Sequence, residues 1–280
     1  MIPPGTQYEF HALTYNLPFP IEYGYPMPHI LITNDDGVHS PGLLALAQAL
    51  RRMGQVSILA PNRNWSVTGH NKTLHKPMRI WDVTLADGTR AMTTDGGPAD
   101  SVALAAMGMV DQPIDLVISG INTRPNLGDD ITYSGTVAAA MESAIIGIPA
   151  IAISQEEGEP RYWETAARVA TIIAQKILAN GGMPAGTLLN VNVPNLPWEE
   201  IKGIEVTRLG QRRYHDKLIV RHDPSGKPYY WIGGEPPSSI LEPGTDVYAL
   251  AHGFVSVTPL SLDMTHDAFL DTLRHWFEEN

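Results

Sequence analysis

Apolar residues in this chain fall into short runs that alternate with longer segments of helical periodicity. The first run, residues 30–32, has the continuous apolar character of a strand buried on both faces of a parallel sheet. Ser40 and Pro41 then form a helix start, and apolar residues in 43–50 repeat on one helical face. We therefore expect an α/β fold. The other predicted strands are 56–60, 77–83, 89–93, 114–119, 149–153 and 187–193, and the other predicted helices are 98–109, 133–146 and 163–178.

The pattern changes near residue 198, after which strand-like pieces follow one another without helices. These pieces are predicted at 204–209, 229–232 and 247–250, and a final strand at 254–259 precedes a terminal helix at 268–277. Five prolines and four glycines lie between residues 223 and 244. This composition predicts long hairpin loops that project from the core.

Composition excludes several kinds of site and partner. The 280 residues include no cysteine, which excludes disulfides, thiolate metal sites and a cysteine nucleophile. A net charge of −11 argues against nucleic-acid binding through a basic face, and no apolar run approaches the ~20 residues that span a membrane. We expect a soluble, cytoplasmic protein. Residues 1–28 hold six prolines and no Lys or Arg, which predicts an irregular surface extension or a start upstream of the true one at Met27.

The loop after the first predicted strand carries two adjacent carboxylates, Asp35 and Asp36. Open α/β sheets place their ligands at the carboxyl ends of the strands, where these residues fall. Two neighbouring carboxylates repel each other unless a cation neutralises them, and oxygen ligands of this kind suit Mg²⁺ or Mn²⁺. The alternative is an ordinary loop in which one aspartate caps a helix and the other is solvated.

Three further loops offer polar groups toward the same crevice. Ser66 and Thr68 follow the second strand, with His70 close by, and from this loop alone ordinary turn chemistry is the favoured interpretation. The helix start at 133–136 offers two hydroxyls and free N–H groups to a phosphate, or a plain N-cap. The pair at 129–130 is either a second metal site or a solvated loop.

These motifs together resemble the survival protein E (SurE) family of nucleotidases. The resemblance covers about residues 27–265, in the same order along the chain. It is carried by Asn34-Asp35-Asp36-Gly37, Ala60-Pro61 with Ser66 and Gly69, Pro98-Ala99-Asp100, Ser119-Gly120-Ile121-Asn122, Tyr133-Ser134-Gly135-Thr136-Val137, Leu189-Asn190-Val191-Asn192-Val193-Pro194 and Val255-Ser256-Val257-Thr258-Pro259-Leu260.

The resemblance implies a Rossmann-like fold, a mostly parallel sheet with helices on both faces, and a metal-dependent phosphatase. Its substrates would be nucleoside 5′- and 3′-monophosphates, and short polyphosphate for some members. One divalent ion per subunit would be held by Asp35, Asp36, Ser66 and Asn122. The phosphate would be held by Asn126 and Ser134 and by the backbone at Gly135 and Thr136. Asp35, Asp36, Asn126 and Ser134 would be the catalytic set.

The resemblance also implies a homodimer or homotetramer that exchanges a hairpin and a C-terminal segment. We accordingly divide the chain into an extension at 1–26, a catalytic core at 27–197, a hairpin-rich oligomerisation segment with a returning strand at 198–265, and a C-terminal helix at 266–280. One departure concerns Arg124, where family members usually carry glycine. It would clamp a phosphate, crowd the pocket, or point into solvent or toward 129–130.

The chemistry expected from these residues is metal-assisted hydrolysis of a phosphate monoester. A covalent aspartyl-phosphate route is the rival, but it uses two aspartates separated by one residue. Here the position two after Asp35 is Gly37, and the position two before Asp36 is Asn34, which argues against that rival. Outside enzymes, the alternative is a nucleotide-binding or sensing protein of the same fold without turnover.

Overall fold

A nine-stranded, mostly parallel sheet forms the centre of the protein. A computed structural model describes residues 27–278. The strands run in the order β3-β4-β2-β1-β5-β6-β7-β11-β8, and β3 and β11 are antiparallel to their neighbours β4 and β7. The strands are β1 His29–Thr33, β2 Gln55–Pro61, β3 Ile80–Thr84, β4 Arg90–Thr94, β5 Leu116–Asn122, β6 Ala150–Gln155, β7 Thr187–Val193, β8 Ile204–Val206, β9 Gln211–His222, β10 Pro228–Ile240 and β11 Val255–Ser261.

Helices cover both faces of this sheet. The helices are α1 Pro41–Leu50, α2 Pro98–Leu104, α3 Gly135–Ile146, α4 Trp163–Ala179, α5 Asp246–Ala251 and α6 Asp267–Glu278. Helices α1 and α4 pack together on one face around Leu43, Leu46 and Ile173, and α2 and α3 pack on the other around Val102 and Val137. The predicted α/β fold, with a hairpin and a terminal helix after the core, is confirmed.

The strand order predicts where the sheet binds a ligand. After β1 the chain adds β2 on one side, and it later returns to add β5 on the other side. The crevice at such a reversal, outside the carboxyl ends of the strands, is where open α/β sheets bind ligands. Asp35 follows β1, and Asn122 is the last residue of β5. The fold therefore brings two of the predicted metal-binding segments to the same switch point.

The helix starts follow from their capping residues. Ser40 Oγ accepts a hydrogen bond of 3.3 Å from Leu43 N, and Pro41 occupies the first helical position, as predicted. Ser134 Oγ caps α3 in the same way, 3.1 Å from Val137 N. The predicted helix at 98–109 loses regular geometry after Leu104, where a wider turn covers Ala105–Met109.

Two predictions about local structure are wrong. Residues 247–250 were expected in a strand, but they lie in α5, because Thr245 Oγ1 caps that helix with a bond of 3.3 Å from Tyr248 N. A run of four residues is too short for its apolar periodicity to distinguish a helix from a strand. Asn122 was expected in a loop, but parallel pairing with β6 resumes at Asn122 and Ser154 after an irregularity that follows Ser119.

The hairpin β9–β10 forms a separate two-stranded sheet outside the core. Its apolar side chains are exposed in the single chain, including Leu218, Trp231 and Ile232 at 69%, 63% and 83%. No residue of α6 is buried within Asp267–Glu278. Within residues 27–278, no helix combines the length and apolar character that a bilayer crossing needs. The predicted extension at 1–26 lies outside the described residues.

Candidate active site

The loop that carries the two aspartates is closed by Asn34. Its Nδ2 donates to the Gly37 carbonyl at 3.0 Å and to Ser40 Oγ at 2.7 Å, and its Oδ1 accepts from Gly37 N at 3.2 Å. Gly37 has φ of +102°, a conformation that side-chain-bearing residues rarely adopt. These bonds hold the turn that carries Asp35 and Asp36. Sequence reasoning named Asn34 in the motif but gave it no role.

Asp35 connects the end of β1 to the start of α3. It is 3% exposed, its Oδ1 accepts a hydrogen bond of 2.6 Å from Thr136 Oγ1, and its backbone carbonyl accepts from Trp65 N at 2.7 Å. Gly135 approaches so closely that a Cβ added there would lie 2.8 Å from Asp35 Cβ. Only glycine fits at this position. The structure therefore brings a predicted metal ligand against the helix start predicted to bind phosphate.

The electrostatics of the pair favour the binding of a positive charge. Burial raises the pKa of Asp35, and burial followed by repulsion from Asp35 raises the pKa of Asp36 to about 6. Arg161 and Thr123 act in the opposite direction on Asp36 without cancelling these effects. Among residues 27–278, the buried Asp36 Oδ2 has no hydrogen-bond partner. Buried carboxylate oxygens without partners fit a hard divalent cation.

The loop after β2 reaches this pair through Asn64. Asn64 Nδ2 donates to Asp36 Oδ1 at 3.3 Å, and its Oδ1 accepts from Ser66 N at 2.8 Å. Ser66 itself is exposed, and the next residue, Val67, has φ of +60°. A β-branched residue in the left-handed region is strained, and such strain concentrates at functional loops. Asn64 is a residue that sequence reasoning missed, because an asparagine in a polar loop carries no distinctive signal.

Two buried carboxylates anchor the far end of that loop. Asp100 accepts from Thr73 N at 2.9 Å and from Thr73 Oγ1 at 2.7 Å, and Glu142 on α3 pairs with His70 at 3.0 Å and Lys72 at 2.6 Å. The sequence placed His70 close to the presumed site. The structure directs its imidazole to the flank of α3. Asp100 and Glu142 therefore hold the far end of the Ser66 loop, at residues 70–73.

The loops after β5 and β6 are joined by Arg161, which sequence reasoning also missed. Its Nη1 donates to the carbonyls of Thr123 and Glu156 at 3.0 and 3.1 Å. Asn122 is 8% exposed and donates through Nδ2 to the Arg124 carbonyl at 2.7 Å, which leaves Oδ1 as its atom for a cation. Nothing in the spacing around Arg161 distinguishes it from a surface arginine before a helix.

Arg124 itself lies on the surface. Its Nε donates to Glu157 Oε1 at 2.6 Å, and both side chains are largely exposed, at 76% and 59%. It does not pair with residues 129–130. Asp130 instead forms an ion pair of 3.0 Å with Arg212 and accepts from the Tyr214 hydroxyl, both on β9. Burial first, and then that hydrogen bond, raise the pKa of Tyr214. These contacts commit Asp130 to the hairpin and disfavour a second metal site there.

The two side chains predicted to bind phosphate are both buried. Asn126 and Ser134 are each 7% exposed. Asn126 Nδ2 donates to Ser154 Oγ at 2.8 Å, and the second hydrogen of that amide is left for a ligand. Ser134 Oγ accepts the capping bond, so its hydroxyl proton is available to donate. The N–H groups at the start of α3 add the positive end of a helix dipole.

The donor set restricts which ion fits. No group of three or more His, Asp or Glu side chains is arranged for a metal anywhere in 27–278. A cation at Asp35 and Asp36 would therefore depend on neutral oxygens, such as those of Ser66 and Asn122, and on water. Mg²⁺ and Mn²⁺ accept such a ligand set, in which one or two carboxylates are completed by neutral oxygens.

An open, mostly parallel sheet with paired carboxylates and a helix N-terminus at its switch point defines an α/β protein with a combined cation and anion site. Comparison with known proteins places the chain more closely. The family model described as survival protein SurE matches residues 30–216. The chain belongs to the SurE family.

Individual relatives match over nearly their whole length. A protein of Chloroflexus aggregans named 5′-nucleotidase SurE is 48% identical over 249 residues, which cover 89% of this chain and 98% of that protein. Its namesake from Herpetosiphon aurantiacus is 50% identical over 241 residues, 85% of this chain and 94% of that protein. The crystal structure of the SurE protein from Aquifex aeolicus matches with a TM-score of 0.78 and 46% identity, covering 89% of this chain and 99% of that chain.

Proposed function

We propose that this protein is a metal-dependent nucleotidase that hydrolyses nucleoside 5′- and 3′-monophosphates to nucleoside and phosphate, with short polyphosphate as a further substrate. The observation that carries the proposal is the contact between Asp35 and the start of α3, where Thr136 Oγ1 lies 2.6 Å from Asp35 Oδ1. A carboxylate pair held against an anion-binding helix end is useful when a cation and a phosphate share the site. The relatives named 5′-nucleotidase support this assignment.

Each residue then has a defined task. Asp35, Asp36, Ser66 and Asn122 hold one Mg²⁺ or Mn²⁺ ion. A divalent cation bound there supplies positive charge to the phosphoryl oxygens and favours ionisation of water. Asn126, Ser134 and the backbone N–H groups of Gly135 and Thr136 hold the phosphate oxygens. Because these donors are in place before the substrate binds, they stabilise developing charge without reorganisation.

The activity test is phosphate release from 5′-AMP, 3′-AMP and short polyphosphate, each with Mn²⁺, with Mg²⁺ and with excess chelator. We expect release from both nucleotides with metal and loss of that release with chelator. Activity that survives complete chelation contradicts the metal dependence. Tight AMP binding without any release under all metal conditions would instead identify a nucleotide sensor of the same fold.

We further propose a homodimer or homotetramer formed through β9–β10 and α6. In the single chain these elements expose Trp231 and Ile232 on the hairpin and Trp276 and Phe277 on the helix, at 63%, 83%, 63% and 76%. Large apolar side chains exposed on these two elements indicate an interface. Analytical ultracentrifugation of the full chain is expected to show a dimer or tetramer. Ile232→Asp is expected to shift the distribution toward monomer, and an unchanged distribution contradicts the role of the hairpin.

A further inference from the structure

Two asparagines on β7 hold the backbone of Asn126 from behind. Asn192 Oδ1 accepts from Asn126 N at 2.8 Å, and Asn192 Nδ2 donates to the Asn126 carbonyl at 3.0 Å. Asn190 Nδ2 donates to the same carbonyl at 2.8 Å. Residues two apart on a strand share a face, so both side chains reach the same peptide groups. Together they make three hydrogen bonds to a single loop residue.

These bonds replace the neighbouring strand that Asn126 lacks. Strand β5 ends at Asn122, so Asn126 lies in the loop beyond the ladder that pairs β5 with β6. A primary amide carries an acceptor oxygen and N–H donors, so it can present one acceptor and one donor to a residue, as a paired strand does. The Asn192 side chain therefore binds both the N–H and the C=O of Asn126, as a sheet neighbour would.

Ser154 on β6 orients the side chain of the same residue. Its Oγ accepts from Asn126 Nδ2 at 2.8 Å, and it lies in register with Asn192 on β7. This bond fixes which end of the Asn126 amide faces the strand and which N–H faces the crevice. Backbone and side chain of Asn126 are thus both held before any ligand binds.

The arrangement is costly for folding alone. Asn190 and Asn192 are fully buried, and the Asn190 Oδ1 has no hydrogen-bond partner among residues 27–278. Burying an amide oxygen without a partner destabilises a fold, and apolar residues at these strand positions would avoid that cost. A polar pair at this place is explained by the loop residue that it holds.

We propose that Asn190, Asn192 and Ser154 are positioning residues that present Asn126 to the phosphate of the substrate. The inference rests on the proposed nucleotidase function, since it assigns Asn126 to phosphate. It gives a role to the Leu189–Pro194 motif, whose asparagines are assigned neither to the metal nor to substrate.

The test compares Asn192→Ala, Asn190→Ala and Ser154→Ala with a matched control, Ser256→Ala. Ser256 is in register with Asn192 on β11, is fully buried, and its Oγ has no partner within 27–278. Three quantities are measured for each protein: kinetics on AMP, Mn²⁺ affinity, and hydrogen exchange of a peptide that spans residues 120–128. Hydrogen exchange and metal affinity do not depend on turnover.

Asn192→Ala is expected to lower kcat/KM for AMP by about ten- to hundredfold, since displacing a substrate-holding group by ~1 Å has effects of this size. Mn²⁺ affinity should stay within about twofold, hydrogen exchange at 120–128 should accelerate, and Ser256→Ala should leave all three unchanged. Asn190→Ala and Ser154→Ala should show the same pattern more weakly. If Asn192→Ala does not fold, those two variants decide the matter.

Folded variants that keep wild-type kcat/KM overturn the inference, and so does unchanged hydrogen exchange in Asn192→Ala whatever its activity. An equal loss of Mn²⁺ affinity and of kcat/KM also overturns it, because it indicates general collapse of the site. Failure of the proposed function is recognised separately. In that case the wild-type protein itself releases no phosphate from AMP.

Discussion

The candidate site has two halves that are built differently. The half beside the strand ends, called the strand half, consists of Asp35 after β1, Thr136 at the start of α3 and Asn126 after β5. These residues are at most 7% exposed and are held by several hydrogen bonds of 2.6–3.0 Å. The loop half consists of Asn64 and Ser66, which are exposed and reach Asp36 through one bond of 3.3 Å.

This difference indicates which half carries out the chemistry and which half adjusts its position. Side chains locked before binding lose little entropy when substrate arrives, so the strand half can hold charge and phosphate in fixed geometry. A loop fastened at its far end by Asp100 and Glu142 can shift near Ser66 without disturbing the sheet. We therefore expect substitutions in the strand half to remove catalysis and substitutions in the loop half to tune metal affinity.

Among substitutions that keep both carboxylates, the largest effect is expected for Thr136→Val, which removes the hydroxyl bonded to Asp35 while keeping the shape of the side chain. A hydrogen bond to a charged group is worth about 1.5–3 kcal/mol, so kcat/KM for AMP should fall roughly ten- to hundredfold. Steady-state kinetics at saturating Mn²⁺ measure this. Ser143→Ala, at the other end of α3 where Oγ bonds the Ile148 carbonyl at 2.9 Å, is the control and should keep near-normal rates.

In the loop half, Asn64→Ala should weaken Mn²⁺ binding by about three- to tenfold, the effect of losing one long, solvent-exposed hydrogen bond of about 1 kcal/mol. At saturating metal, kcat should remain near the wild-type value, because the strand half is intact. Calorimetric titration with Mn²⁺, followed by kinetics at several metal concentrations, separates the two quantities. A fall in kcat that added metal does not restore would show that the loop half takes part in the chemistry.

The electrostatic cost at Asp36 predicts a pH-dependent stability in metal-free protein. Because its pKa is raised from 3.8 to about 6 on folding, the folded state binds the proton more tightly than the unfolded state does. The resulting stability is fully present below pH 3.8 and is lost as the pH rises through 6. Asp36→Asn should avoid that loss, with a Tm advantage over wild type that grows between pH 4 and 6.5.

The rise of the Asp36 pKa from 3.8 to about 6 corresponds to roughly 3 kcal/mol, and for a chain of this size each kcal/mol corresponds to about 2–4 °C. The Tm advantage of Asp36→Asn at pH 7 should therefore be on the order of 5–10 °C. Differential scanning fluorimetry with chelator measures it. Added Mn²⁺ should raise the Tm of the wild type and leave the variant nearly unchanged. Parallel Tm curves for the two proteins across this pH range would contradict the claim that burial and repulsion from Asp35 raise the pKa of Asp36.

The smallest effect is expected for Arg124→Gly. An exposed ion pair contributes about 0–1 kcal/mol, and the contact of Arg124 with Glu157 is of this kind. We expect kcat/KM to change by less than about threefold for both AMP and short polyphosphate. Parallel kinetics with Glu157→Ala as the partner variant test this. A loss of about tenfold on polyphosphate alone would show that Arg124 leaves Glu157 to bind the longer substrate.

The sequence was sufficient to predict the fold and those parts of the site that follow general rules of periodicity and helix capping. Strand–helix alternation, the Ser40 and Ser134 caps and the position of Asp35 after β1 all follow from periodicity and capping. Asn64 and Arg161 could not be found in this way, because their partners lie 28 and 38 residues away and only the folded sheet brings them together. Residues 247–250 were misread because a four-residue apolar run lacks a period.

The central claim is that Asp35 and Asp36 hold the cation on which hydrolysis depends. It is tested most directly by Mn²⁺ titration and AMP hydrolysis measured on the same samples of wild type and Asp35→Asn. We predict a folded variant whose Mn²⁺ affinity falls by at least about tenfold and whose turnover is almost abolished, because an amide cannot replace the charge of the carboxylate. A well-folded Asp35→Asn protein with wild-type Mn²⁺ affinity and near-normal phosphate release would contradict the claim.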